Sequence, residues 1–261
     1  MRMRELYPLA IIWAAAAALV TFVPLHASEI DDRIESSAQK SYVFKTYLKG
    51  DDIKIRSKDG VVTLTGTVAG ESHQSLAQET VAGLPGVKSV DNRLEIKGER
   101  PAKNSDAWLT TKVKTAFLFH RNVSASQTEV NSKDGIVTLR GEANSQAQRE
   151  LTTEYAKDVE GVKGVNNKMT VAKISKMPGE TMGENIDDAS ITAQAKMALL
   201  FHRSTSASNT KVETNKGIVT LSGKARNGAE KDLVTKLVTD INGVKSVVNN
   251  MTIDESMSKS N

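Results

Sequence analysis

Asp59-Gly60-Val61-Val62-Thr63-Leu64-Thr65-Gly66 is the stretch on which the fold turns, because the chain carries it three times. It returns as Asp134-Gly135-Ile136-Val137-Thr138-Leu139-Arg140-Gly141 and as Lys216-Gly217-Ile218-Val219-Thr220-Leu221-Ser222-Gly223, at offsets of 75 and 82 residues. Val62 and Leu64 alternate with Thr63 and Thr65, the pattern of a strand with one buried face. Just ahead, Ile53 and Ile55 alternate with Lys54 and Arg56, so Lys58-Asp59-Gly60 is the turn of a β-hairpin, where glycine accepts positive φ. Gly66, Gly141 and Gly223 end the second strand, a place where glycine suits a bulge or a close approach of two backbones.

Working outward, the same offsets carry Gly86-Val87-Lys88-Ser89-Val90 onto Gly161-Val162-Lys163-Gly164-Val165 and Gly243-Val244-Lys245-Ser246-Val247. Between the two motifs lies an amphipathic helix, with Leu233, Leu237, Val238 and Ile241 on one face in the third copy. The following glycine, Gly86, Gly161 or Gly243, stops it. Upstream, Ile191, Ala195, Ala198 and Leu199 mark another helix over about 189–202. Each unit therefore reads helix, strand, strand, helix, strand. A strand–helix–strand connection within one sheet is a parallel crossover. The expected fold class is α+β: three tandem αββαβ domains, each a three-stranded mixed sheet with two helices on one face. Their bounds are 30–97, 105–172 and 186–254, joined by linkers over 98–104 and 173–185. Pro178, Gly179 and Gly183 in the second linker favour relative motion of the last two units.

The copies are unequal. Copies 2 and 3 share Leu-Phe-His-Arg (118–121 and 200–203) and Ser-Ala-Ser (124–126 and 206–208), which copy 1 lacks. Matching Tyr47-Leu48 to Phe117-Leu118 gives an offset of 70, so copy 1 is expected to lack five residues between its first helix and first strand. A binding function is expected first in the matched pair.

Residues 1–27 read as a secretory signal peptide: Arg2 and Arg4, an apolar run from Leu9 to Val23, a break at Pro24, and a cut near Ala27. The alternative is an uncleaved anchor, for which the run is short. No cysteine follows the run to carry a lipid anchor, and the chain has none anywhere. A secreted chain without disulfides must rely on hydrophobic cores, and periplasmic proteins often have this composition. Of 261 residues 35 are basic and 31 acidic, a net charge of +4 that falls to +3 without the leader. That balance, with Trp108 the one tryptophan beyond the leader, argues against nucleic-acid binding.

Catalytic signatures are missing: no nucleophile elbow, phosphate loop or zincin pair occurs. No catalytic residue, metal ligand or cofactor is expected. His120 and His202 are expected to interact with the negative end of a helix, and His73 to stand alone at the surface. Asp51-Asp52 and Asp187-Asp188 are expected as caps, and Asn92, Asn167 and Asn249 as turn or strand-edge hydrogen bonders. Lys88, Lys163 and Lys245 recur before the last strand. They read either as a basic contact for anionic head groups repeated on three modules or as solvated turn lysines.

The hairpin ending in Val-Thr-Leu-x-Gly, the amphipathic helix and the Gly-Val-x-x-Val that opens the last strand together resemble the BON domain, a module of bacterial envelope proteins. The resemblance covers nearly all of the chain beyond the leader, three times over, whereas the best-known members carry two copies. It implies a non-enzymatic periplasmic protein that associates peripherally with anionic phospholipid or an envelope protein and supports the envelope under osmotic or other stress. The alternative is a periplasmic chaperone or protein-binding scaffold that uses the apolar helix faces.

Overall fold

Alternation and turn chemistry act first in building each module. In the computed structural model, which describes residues 25–98, 101–172 and 186–254, strand β1 (Asp52–Lys58) pairs antiparallel with β2 (Val61–Val68) across the expected turn. β3 (Ser89–Ile96) then pairs parallel with β2 after the helix α3 (Glu71–Ala82). Ile55, Val62, Leu64 and Val68 face the helices and are buried, while Lys54, Arg56 and Val61 face solvent. Modules 2 and 3 repeat the plan. Module 2 has α4 (Asp106–Phe119), β4 (Thr128–Lys133), β5 (Ile136–Ala143), α5 (Gln146–Asp158), β6 (Gly164–Asn167) and β7 (Thr170–Val171). Module 3 has α6 (Asp188–Phe201), β8 (Thr210–Asn215), β9 (Ile218–Ala225), α7 (Gly228–Thr239), β10 (Ser246–Asn249) and β11 (Thr252–Ile253). The fold is α+β with mixed sheets, as expected. The last strand is continuous in module 1 and split in modules 2 and 3, and in all three an asparagine side chain, Asn92, Asn167 or Asn249, accepts the N–H two residues on, from Leu94, Met169 or Met251. Asn167 and Asn249 also reach back to the second helix through Arg149 O and Lys231 O, tying strand to helix.

The leader residues 1–24 lie outside the described residues, and α1 begins at Leu25, before the expected cut near Ala27. No described helix is long and apolar enough to cross a membrane. Copy 1 does not lack five residues. Asp31 and Ile53, Asp106 and Thr128, and Asp188 and Thr210 are each 22 positions apart, and each pair occupies the same place in its module. Instead the first helix of module 1 breaks. α1 (Leu25–Lys40) stops at Ser41, which caps a second short helix, α2 (Tyr42–Thr46), whereas α4 and α6 run unbroken through the matching positions to Phe119 and Phe201 and are followed by a loop and a 3₁₀ turn.

Helix α6 is buried on nearly every side. Its own sheet takes Ile191 and Ala195. Ser190 and Gln194 carry the polar atoms, and both are fully buried. From module 1, Val43 N–H donates to Ser190 Oγ (3.1 Å) and Tyr47 Oη lies 3.2 Å from Gln194 Oε1. Gly83 ends α3 against Ala189, with room for a Cβ only 3.3 Å from the Ala189 Cα. From module 2, α4 packs alongside it. A helix with little polar surface must be covered all round, and alanine and serine let neighbours come close.

Gly66, Gly141 and Gly223 hold φ of 114°, 116° and 114°, and a Cβ on each would lie 2.0, 1.9 and 2.0 Å from the carbonyl oxygen of Asp52, Gln127 and Asn209. Replacing Gly141 with alanine is therefore expected to lower the stability of module 2 by about 2 kcal/mol or more, from strain plus clash, measured as a shift in urea midpoint.

Candidate interaction surface

The hairpin turn is clamped from the first helix by an aspartate that recurs in all three modules. Asp31 accepts the N–H groups of Asp59 (2.7 Å) and Gly60 (3.0 Å), Asp106 those of Asp134 (2.8 Å) and Gly135 (3.0 Å), and Asp188 those of Lys216 (2.7 Å) and Gly217 (2.8 Å). The Gly135 N–H, then that of Asp134, holds the Asp106 carboxyl below the usual carboxylate range. The Ser57 hydroxyl, then the Gly60 N–H, does the same for Asp31. Asp187 is a helix cap, accepting the Ser190 N–H. Asp188, expected to cap as well, instead serves the turn.

Lys88, Lys163 and Lys245 close this structure from the other side. Their N–H groups donate to Gly60 O, Gly135 O and Gly217 O at 2.8, 2.9 and 2.8 Å. Their methylene stems lie over the turn glycines, within 3.2 Å of where a Cβ would stand, and all three residues are exposed. Each lysine belongs to its own turn, and no described contact brings any two of them together.

His120 and His202 do more than end their helices. Each lies in a seam between modules 2 and 3 that obeys an approximate two-fold relation. Arg121 N–H donates to Asp240 O (3.1 Å) and Arg203 N–H to Asp158 O (2.9 Å). Asn242 N–H donates to Phe119 O (3.1 Å) and Glu160 N–H to Phe201 O (3.0 Å). The arginine heads then reach carbonyls beyond the end of the opposite helix, Val244 O from Arg121 (2.8 Å) and Val162 O from Arg203 (3.1 Å). His120 Nδ1 lies 3.3 Å from Asp240, and His202 Nε2 lies 3.4 Å from Asp158. Every one of these pairs maps onto its counterpart by the 82-residue offset, so the interface is self-complementary, like that of a symmetric dimer. The His202 ring holds the Asp158 carboxyl below the usual range. Burial and the Asp240 carboxylate push the Tyr155 hydroxyl up.

One expectation is corrected here: the relative motion favoured by the linker is opposed by backbone hydrogen bonds across the seam. Of the residues that set copies 2 and 3 apart, His120-Arg121 and His202-Arg203 lie in this seam, while the Ser-Ala-Ser segments bond within their own modules. His73 is not alone either: its Nδ1 lies 2.6 Å from Asp51, whose other oxygen accepts the Ala69 N–H (2.8 Å).

A cleft of about 250 Å³ opens where the three modules meet, walled by Ile96, Pro101, Trp108, Met197, Leu200 and Phe201. Its buried cation, Lys112, lies 4.4 Å above the Trp108 ring and 2.9 Å from Glu160, so the wall is close to neutral. No group of His, Cys, Asp or Glu side chains among the described residues is placed to hold a metal ion.

The BON domain family matches residues 30–98, 105–173 and 187–255. The osmotically-inducible protein Y of Escherichia coli (strain K12) is 33% identical over 200 residues, covering 76% of this chain and 96% of that protein. The outer membrane lipoprotein DolP of Haemophilus influenzae is 29% identical over 159 residues, 58% of this chain and 80% of that one. A solved structure of CdsD, a structural protein of the type III secretion system of Chlamydia trachomatis, aligns at 15% identity over 87% of this chain and 96% of its own, with a TM-score of 0.23.

Two outcomes test the site's construction. Asp106→Asn is expected to be less stable than the unchanged chain at pH 7. Because the folded carboxyl titrates below its unfolded value, that deficit is full above about pH 4 and narrows as pH falls below it, as read from urea midpoints at each pH. Arg121→Ala combined with Arg203→Ala is expected to cost about 1–2 kcal/mol per arginine and to enlarge the particle in small-angle scattering as modules 2 and 3 part.

Proposed function

The chain belongs to the BON-domain family, with three copies in series, and on that footing we propose a non-enzymatic, peripherally attached envelope protein that engages anionic phospholipid surfaces under osmotic or related stress. Export through the leader, with a cut near Ala27, places it in the periplasm. The observation that carries the reading is the lysine fixed at each hairpin turn, Lys88, Lys163 and Lys245, exposed and anchored by its own backbone. Three weak contacts on one chain add by avidity. The relatives support the envelope and stress parts of the reading, one being named for osmotic induction and one as an outer membrane lipoprotein. The alternative, a chaperone offering apolar helix faces to clients, loses ground because those faces are spent: Val113, Ala116 and Phe117 of α4 and Ile191, Ala195 and Leu199 of α6 are buried.

Flotation with vesicles decides between the readings. Association with anionic but not neutral vesicles, weakened by salt, is the expected result. Reversing Lys88, Lys163 and Lys245 to glutamate is expected to remove it, since each basic residue at such a surface contributes about 1 kcal/mol. Absence of association with any vesicle at any salt would overturn the proposal.

A further inference from the structure

The three hairpin ends have one architecture but different chemistry, and the differences single out module 3. At each end the first residue of the second strand is an exposed aliphatic side chain: Val61 (42% exposed), Ile136 (43%) and Ile218 (44%). Lys58 and Lys88 flank the first and Lys133 and Lys163 the second, while in module 3 Lys245 is kept and Asn215 stands where the others have Lys58 and Lys133. In modules 1 and 2 the turn also exposes an acid, Asp59 and Asp134, at φ of 55° and 52°. In module 3 the same left-handed position is Lys216, at φ 52°. A second exchange falls on the same open face of the sheet. The residue opposite the threonine that follows the aliphatic by two is Asp91 in module 1 and Asn166 in module 2, but Val248 in module 3, and Val248 is 44% exposed.

Module 3 thus ends in an exposed aliphatic pair, Ile218 and Val248, beside Lys216 and Lys245, with the Asp188 carboxylate taken up by the turn N–H groups and the nearby Lys211 and Glu213 paired at 2.7 Å. Exposed aliphatics cost free energy in water, and neither of the other modules keeps the second one. Aliphatic side chains beside lysines match the boundary of an anionic bilayer, where apolar groups enter the head-group region and ammonium groups meet phosphate. We propose that the hairpin end of module 3, built from Lys216, Ile218, Lys245 and Val248, is the surface by which this chain inserts into an anionic phospholipid bilayer, with modules 1 and 2 as weaker, electrostatic contacts. The proposal rests on the bilayer reading above and assigns it to one module.

The chain has no cysteine, so single sites can be labelled without background. The test uses the full chain purified after export, with Ile218→Cys, Val61→Cys or Lys157→Cys each carrying an environment-sensitive fluorophore. Lys157 lies exposed on α5, away from the turns. With vesicles of phosphatidylglycerol and phosphatidylcholine, the probe at 218 is expected to brighten and shift to the blue, the probe at 61 to respond less, and the probe at 157 not at all. A companion variant, Lys216→Asp with Val248→Asn, installs residues that modules 1 and 2 already carry at these positions, so it keeps the fold. It is expected to weaken vesicle partitioning by roughly tenfold or more. If the chain floats with anionic vesicles but position 218 responds no more than 157, or the companion variant partitions as the unchanged chain does, the assignment to module 3 is overturned while the bilayer reading stands. If the unchanged chain does not float at all, both fall.

Discussion

The arrangement of the three modules depends on the burial of α6. Its sequence, Asp-Ala-Ser-Ile-Thr-Ala-Gln-Ala-Lys-Met-Ala-Leu-Leu-Phe over 188–201, has too little polarity to leave any broad face in water. One side belongs to its own sheet, another to α3 of module 1, and a third to α4 of module 2. Burying a side chain such as Ile191, Met197 or Leu199 is worth about 1.5–3 kcal/mol, so the helix rewards every neighbour that covers it. The polar atoms it takes inside are satisfied: Ser190 Oγ accepts from Val43 and gives to Asp187, and Gln194 Nε2 gives to Ser190 O. A module of under 70 residues is marginal alone, and here none of the three is alone.

The two-fold seam is the second consequence of having repeated modules that share a surface. Two copies that share a surface can pair that surface with itself, each contact then occurring twice. His-Arg at the end of the first helix meets Asp at the end of the second, in both directions. Module 1 takes no part in this pairing because it has neither half: Thr46 stands where the others have arginine, and Gly83 where they have Asp158 and Asp240. That same glycine lets α3 approach Ala189 closely, so module 1 docks on α6 by a different route.

The seam also marks the limit of what the sequence carries. His120-Arg121 and His202-Arg203 are legible as a feature peculiar to copies 2 and 3, whereas nothing in the sequence singles out Asp158 and Asp240. What could not be read was that they belong together, since Arg121 and its carbonyl partners lie 118 to 123 positions apart. The turn aspartates are the opposite case. Asp31, Asp106 and Asp188 repeat at the offsets of the hairpin itself and align the first helices without a gap, against the offset of 70 that the match of Tyr47-Leu48 to Phe117-Leu118 suggests.

Periodicity, turn residues and a triple repeat determined the module by themselves: two-residue alternation can bury only one face of a strand, and a glycine repeated at the strand end holds φ near 114° where a Cβ would meet a carbonyl oxygen at about 2 Å. The lysines at the turns were likewise legible as a recurring feature. Tertiary structure alone decided how the modules stand to one another, which helix faces remain free, and which of three similar hairpin ends combines cations with bare aliphatics. Those properties arise between residues far apart in the chain, where the identity of a side chain fixes what it could touch but only packing fixes what it does touch.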